Sequence, residues 1–132
     1  MLLQKMKNFL RIFAVALSTF LLFACDEDIA QNTSADLMKD ISNNHIYFFY
    51  QNSCPHCHHA ASYITNKYPD LKMINLDVSQ QNSFNLFLKC ASKFRLNPNA
   101  LGTPLICMGD HYIMGWADTD RVKFDSYVQK FK

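Results

Sequence analysis

Cys54-Pro55-His56-Cys57 constrains the fold of this chain more than any other stretch. It follows almost directly on His45-Ile46-Tyr47-Phe48-Phe49-Tyr50, a near-continuous apolar and aromatic run of the kind shown by a strand buried on both faces. Pro55 suits the first position of a helix, where its missing N–H costs nothing. Cys57, Ala60, Ala61, Ile64 and Tyr68 then recur at helical spacing until Pro69-Asp70 stops the pattern. The spacing therefore predicts a strand, a turn and a helix, with two thiols at the helix start. Such thiols can close a small disulfide ring, and the helix N–H groups and dipole favour a thiolate on the first sulfur. The chemistry implied is disulfide exchange.

The rest of the chain alternates in the same manner. Asp36 to Ser42 reads as a short helix with Leu37, Met38 and Ile41 as its apolar positions. Leu71 to Val78 alternates Leu71, Met73 and Asn75 against Ile74, Leu76 and Val78, which predicts a strand. Asn82 to Arg95 reads as a helix whose apolar stripe is Phe84, Phe87, Leu88, Ala91 and Phe94, with Cys90 at its edge. Leu96 to Leu101 reads as loop, Thr103 to Met108 as strand, Gly109-Asp110 as a hairpin turn and His111 to Met114 as the returning strand. Asp118 is expected to cap a last helix lined by Phe124, Tyr127, Val128 and Phe131. Trp116 is expected in the core or at its rim, and His45 and His111 at strand ends. At 132 residues there is room for one domain.

From Asn44 to Phe131 the chain resembles the thioredoxin superfamily. Three features carry the resemblance: Cys54-x-x-Cys57 at a strand-to-helix turn, Thr103-Pro104 opening the third strand, and Gly115 ending the hairpin. The resemblance implies an α/β thioredoxin-like fold, a central mixed sheet flanked by helices, over residues 44–132. It also implies roles. Cys54 would be the nucleophile and Cys57 the resolving thiol. Pro104 would be cis and would contact the partner chain together with Thr103. The Cys-Pro-His-Cys tetrapeptide is similar to that of bacterial periplasmic disulfide oxidants, with Pro55 and His56 tuning the first thiolate. The expected activity is that of a protein disulfide oxidoreductase, an oxidant rather than a reductant. It needs no metal or organic cofactor, only protein thiols or disulfides and a redox partner. Two departures stand out. Phe48 occupies the position where the superfamily usually buries an acid. The stretch between Asp77 and Pro104 holds one helix and a loop, too little for the helical subdomain of the larger oxidants. Thr103 before the proline is also seen in disulfide isomerases.

The first 24 residues read as a targeting segment. Lys5, Lys7 and Arg11 precede an apolar run from Ile12 to Ala24, shorter than the roughly 20 residues of a membrane span. Leu22-Phe23-Ala24-Cys25 resembles a bacterial lipobox, although Phe23 is bulkier than its usual residue. That resemblance implies lipidation of Cys25 and a polar spacer after it, within residues 25–43. An uncleaved anchor and a differently cleaved secreted protein are the other two readings. All three put the domain outside the cytoplasm, and the first makes it periplasmic and membrane-anchored. The whole chain has 13 basic and 11 acidic residues. Without the three leader cations the balance is close to neutral, so no basic face suggests nucleic acid.

Four cysteines remain when Cys25 is set aside. Cys90 and Cys107 read as two buried thiols, as a structural disulfide, or as a second redox pair passing electrons to Cys54–Cys57, since spacing does not establish connectivity. Cys54-Pro55-His56-Cys57-His58 also matches the C-x-x-C-H attachment signature of c-type haem, with His58 as iron ligand. Against a haem electron carrier stand the aromatic strand before the motif and the Thr-Pro strand and hairpin after it. A zinc site using His58 and His59 is disfavoured because adjacent helical residues point apart. A redox-inactive thioredoxin-like module of an envelope complex is the remaining alternative.

Overall fold

Successive side chains of the first strand point to opposite sides of the sheet, and both sides are covered. The computed structural model describes residues 39–132. The leader, Cys25 and the expected spacer lie outside those residues. Strand β1 (Ile46–Tyr50) is central in a four-stranded sheet ordered β2-β1-β3-β4, with β2 at Met73–Asp77, β3 at Leu105–Met108 and β4 at His111–Met114. β2 runs parallel to β1, and β3 and β4 follow as antiparallel neighbours. Helices α1 (Pro55–Lys67), α2 (Gln81–Lys93) and α3 (Asp118–Tyr127) complete the α/β arrangement. The sheet is mixed because α1 returns the chain to a parallel strand, whereas the Gly109-Asp110 turn allows only an antiparallel one.

Ile46, Phe48, Ile106, Met108 and Ile113 face α1 and α3, where Ala60, Ile64, Trp116, Phe124 and Val128 close one core. Tyr47, Phe49, Leu76, Leu105 and Cys107 face α2 and meet Leu86, Phe87 and Cys90 in a second. Each large side chain fully buried this way contributes about 1.5–3 kcal/mol. Gly109 starts the two-residue hairpin turn at φ 62°, the left-handed value that a type II′ turn needs at that position.

Three expectations change. Residues 39–42 form a turn and a bend rather than the end of a helix, and the remainder of that stretch lies outside the described residues. They are tied to the sheet instead, because the Tyr47 hydroxyl accepts from the Ser42 N–H at 3.0 Å. The buried stripe of α2 is Ser83, Leu86, Phe87, Cys90 and Ala91, while Phe84 and Leu88 are 40 % and 41 % exposed. Cys90 is central rather than peripheral because it is bonded to Cys107 of β3. Leu86 and Phe87 meet the sheet on the same face. Asp118 is the first residue of α3, not its cap. The capping is done by Asp120, whose carboxylate accepts from the Ala117 N–H at 2.8 Å.

Candidate active site

β1 ends at Tyr50, and a turn closed by the Cys54 N–H to the Gln51 carbonyl at 3.2 Å aims the chain into α1. Cys54 is the N-cap residue of α1, with extended backbone at φ −91° and ψ 108°, and Pro55 follows at the first helical position. Its Sγ accepts from the Cys57 N–H at 3.2 Å, one of the helix-start donors that have no partner inside the helix. The two cysteines are bonded to each other, with Cα atoms 5.3 Å apart.

The pair is asymmetric. Cys54 is partly exposed, whereas Cys57 is 3 % exposed beneath the first turn of α1. An incoming thiolate therefore reaches Cys54 first. When that sulfur is the leaving thiolate, the Cys57 N–H and the positive end of α1 stabilise it. Pro55 and His56 are both exposed on the same turn.

A second loop meets the pair from across the sheet. The Thr103–Pro104 peptide bond is cis, and the Thr103 carbonyl oxygen lies 3.4 Å from Cys54 Sγ. A protonated Cys54 donates to that oxygen in the dithiol state. The loop is held by the Gly115 N–H, which donates to the Pro104 carbonyl at 2.8 Å, with Gly115 at φ 80°. The structure thus brings Cys54, Pro55, His56, Cys57, Thr103 and Pro104 to one end of the sheet.

His58 stands apart from the exchange chemistry. Its Nε2–H donates to the Asn52 carbonyl at 2.7 Å and braces the loop before Cys54. That ring nitrogen is engaged in the loop brace, and the two sulfurs are joined to each other. His59 is exposed, and among the described residues no three His, Cys, Asp or Glu side chains converge as a metal site requires. Phe48 is 3 % exposed and packs against Ala60 and Ile64, which makes that position part of the core. The Asp77 carboxylate accepts from the Ser79 N–H at 2.9 Å, pinning the turn after β2.

Sequence reasoning missed the Asn52–His58 brace, because nothing in residue type marks a backbone carbonyl as the partner of a distant ring. It also missed the state of Trp116, which is buried against Tyr63 and Phe124 with its indole N–H unpartnered.

No protein-family model matches the chain, and no curated protein does. Among solved structures, it is similar to a buckwheat glutaredoxin in complex with glutathione, at 9 % identity and TM-score 0.50, over 80 % of this chain and 93 % of that one. A glutaredoxin from Archaeoglobus fulgidus matches at 12 % identity and TM-score 0.49, over 65 % and 87 %. Thioredoxin O2 from Arabidopsis thaliana in its oxidised state matches at 17 % and 0.44, over 77 % and 89 %. At 9 % identity the likeness to the buckwheat glutaredoxin is one of fold, and the fold is thioredoxin-like.

Proposed function

We propose that this chain is an extracytoplasmic thiol–disulfide oxidoreductase that donates the Cys54–Cys57 disulfide to protein thiols. One observation carries the reading: a partly exposed sulfur that accepts from a helix-start N–H is bonded to a shielded sulfur three residues on. A substrate thiolate attacks Cys54 Sγ, the Cys54–Cys57 bond breaks, and Cys57 leaves as a thiolate that takes up a proton. A second substrate thiolate attacks the substrate sulfur of the mixed disulfide and releases Cys54 as a thiolate. The substrate has then lost two electrons, the protein has gained them, and an oxidising partner must remove them before the next cycle.

The direction follows from thiolate stability. Whatever stabilises reduced Cys54 makes the disulfide a stronger oxidant, and across dithiol proteins of this kind potentials differ by about 150 mV, or roughly 7 kcal/mol. The helix start and His56 both act in that sense. The leader and Leu22-Phe23-Ala24-Cys25 support a lipid anchor at Cys25 in a bacterial envelope, with the domain in the periplasm. A Cys57→Ser variant is expected to accumulate mixed disulfides through Cys54, read by non-reducing electrophoresis and mass spectrometry. Equilibration of the wild type with glutathione is expected to give a potential well above the roughly −270 mV of thioredoxin. A value at or below that figure would make the chain a reductant, and failure to form a reversible Cys54–Cys57 bond would end the proposal altogether.

A further inference from the structure

The strand register separates the charges of the domain as well as its faces. Ile46 pairs with both Met73 and Met108, so the starts of β1 and β2, the end of β3 and the Gly109-Asp110 turn share one end of the sheet. The dithiol is at the other end, where β1 finishes. α1 and α2 both run away from the dithiol end: each follows a strand that finishes there, and Lys93 at the close of α2 reaches Gly109 at the other end.

Lysines gather at the far end. Lys67 closes α1, Lys72 precedes β2, and Lys93 closes α2 with its ammonium donating to the Gly109 carbonyl at 2.5 Å. Lys132 lies over the Tyr68 ring at 5.8 Å, and Lys130 is beside Gly109. All five are exposed. The acids at this end are Asp40, Asp70, Asp110 and Asp125, and the last is bound to Lys67 at 2.6 Å. The dithiol end has no such excess. Residues 51–59 and 101–104 contain no Lys, Arg, Asp or Glu, and at the nearby start of α3 Asp118 and Asp120 are paired with Arg121 and Lys123. A 13-residue α1 separates the two ends by about 20 Å.

The chain also enters the domain at the lysine end. The Asn43 side chain is hydrogen-bonded to Lys93, so the described residues just before β1 lie at that end. We infer that this end is the surface by which the domain lies against a bilayer carrying anionic headgroups, holding the dithiol on the side away from the lipid. Excess ammonium groups complement such headgroups, and the attraction acts within about a Debye length of the surface. The choice of a bilayer as occupant rests on the lipid-anchor reading above, because that anchor would deliver this end to the membrane. An anchored domain oriented this way presents Cys54 to soluble polypeptides rather than burying it in the headgroup layer.

The full chain, purified from membranes in its native form, is reconstituted into vesicles of phosphatidylcholine, with or without one third phosphatidylglycerol. Brief lysine acetylation followed by mass spectrometry reads the orientation. Acetylation of Lys72, Lys130 and Lys132 is expected to fall by about three-fold or more with phosphatidylglycerol and to recover in high salt, as surface attraction would. Lys123, midway along α3, is expected to be unchanged. Equal acetylation of the three lysines on both vesicle types, or equal protection of Lys123, would overturn the proposal. Flotation with neutral vesicles reports the anchor separately. If the chain fails to float with them, the anchor reading falls, and co-sedimentation with phosphatidylglycerol vesicles decides the orientation proposal by itself. Lys72→Glu combined with Lys130→Glu is expected to abolish the protection of the remaining reporter, Lys132, while the circular dichroism spectrum is retained. Retained protection in that folded variant would likewise refute it.

Discussion

Arg95 shows how much one residue can carry in this molecule, and the proposed exchange chemistry would give His56 a comparable part. His56 is exposed on the first turn of α1, one position before the shielded Cys57, where a positive ring would stabilise a neighbouring thiolate. His56→Ala is therefore expected to lower the Cys54–Cys57 potential by tens of millivolts, with about 30 mV equivalent to 1.4 kcal/mol. Glutathione equilibration and the pH dependence of Cys54 alkylation measure it, and an unchanged potential would remove His56 from the tuning role. Arg95 adopts φ 54°, a left-handed conformation that costs a side-chain-bearing residue about 1–2 kcal/mol. It does so to close α2: its N–H donates to Ser92 at 3.1 Å, and the Leu96 N–H donates to Ala91 at 2.9 Å. Arg95→Gly is expected to stabilise the domain by about 0.5–1 kcal/mol after the greater backbone entropy of glycine is counted. A thermal midpoint that falls would contradict this.

Among the elements, α3 is held at both ends by carboxylates. Asp120 accepts from the Ala117 N–H and is paired with Lys123 at 3.0 Å, so Asp120→Ala is expected to cost about 1 kcal/mol in urea unfolding. Asp125 ties α3 to α1, accepting from Tyr63 at 2.8 Å, Lys67 at 2.6 Å and Tyr68 at 2.6 Å. Burial alone would raise the Asp125 carboxyl, but the bonds from Lys67, Tyr68 and Tyr63 outweigh it and hold the group below its ordinary value. Burial, and then the bond to Asp125, pushes Tyr68 up to about 12. Lys67 is also raised, chiefly by its bond to Asp125. A depressed carboxyl contributes stability above its unfolded value near 4 and loses it as pH falls through the folded one. Raised Tyr68 and Lys67 contribute below about 10 and lose it as pH climbs past that. Urea midpoints are expected to be flat between these limits and to fall on both sides. Asp125→Asn should lower the plateau and flatten the acid limb, and an unaltered acid limb would show that this clamp contributes nothing there.

At the scale of the whole molecule, the sheet keeps the two disulfides apart. Cys54–Cys57 sits at one end of the sheet, at the start of α1, whereas Cys90–Cys107 joins α2 to β3 within the opposite core, with Cα atoms 6.4 Å apart. Cys90 is 0 % and Cys107 1 % exposed, so no thiolate reaches them without opening that core. Mild reduction of the native protein is expected to open Cys54–Cys57 and leave Cys90–Cys107 intact, as differential alkylation would record. Replacing Cys90 and Cys107 together with alanine is expected to cost about 3 kcal/mol, the value for a loop of this length, while Cys54 remains competent for exchange. Loss of exchange in that folded variant would point to a relay between the pairs instead.

Local chemistry made much of this legible in advance. The order of strands and helices, the dithiol at the start of α1, the alternation of Leu71 to Val78 and the glycine turn at Gly109 all depend on near neighbours, and residue type records near neighbours well. The rotation of α2 was not legible. Phe84 and Leu88 have the composition of a buried stripe, but Leu86, Phe87 and Cys90 are the residues that meet the sheet, and Phe84 and Leu88 are turned outward. The same holds for Asp120 displacing Asp118 as the cap, for Asp125 gathering two partners from α1 and a third, Tyr68, from just beyond it, and for the lysines that the register collects at one end. Periodicity states which residues share a face of their own element. What that face meets is decided by contacts between residues far apart in the chain, and those exist only once the sheet has set the helices in place.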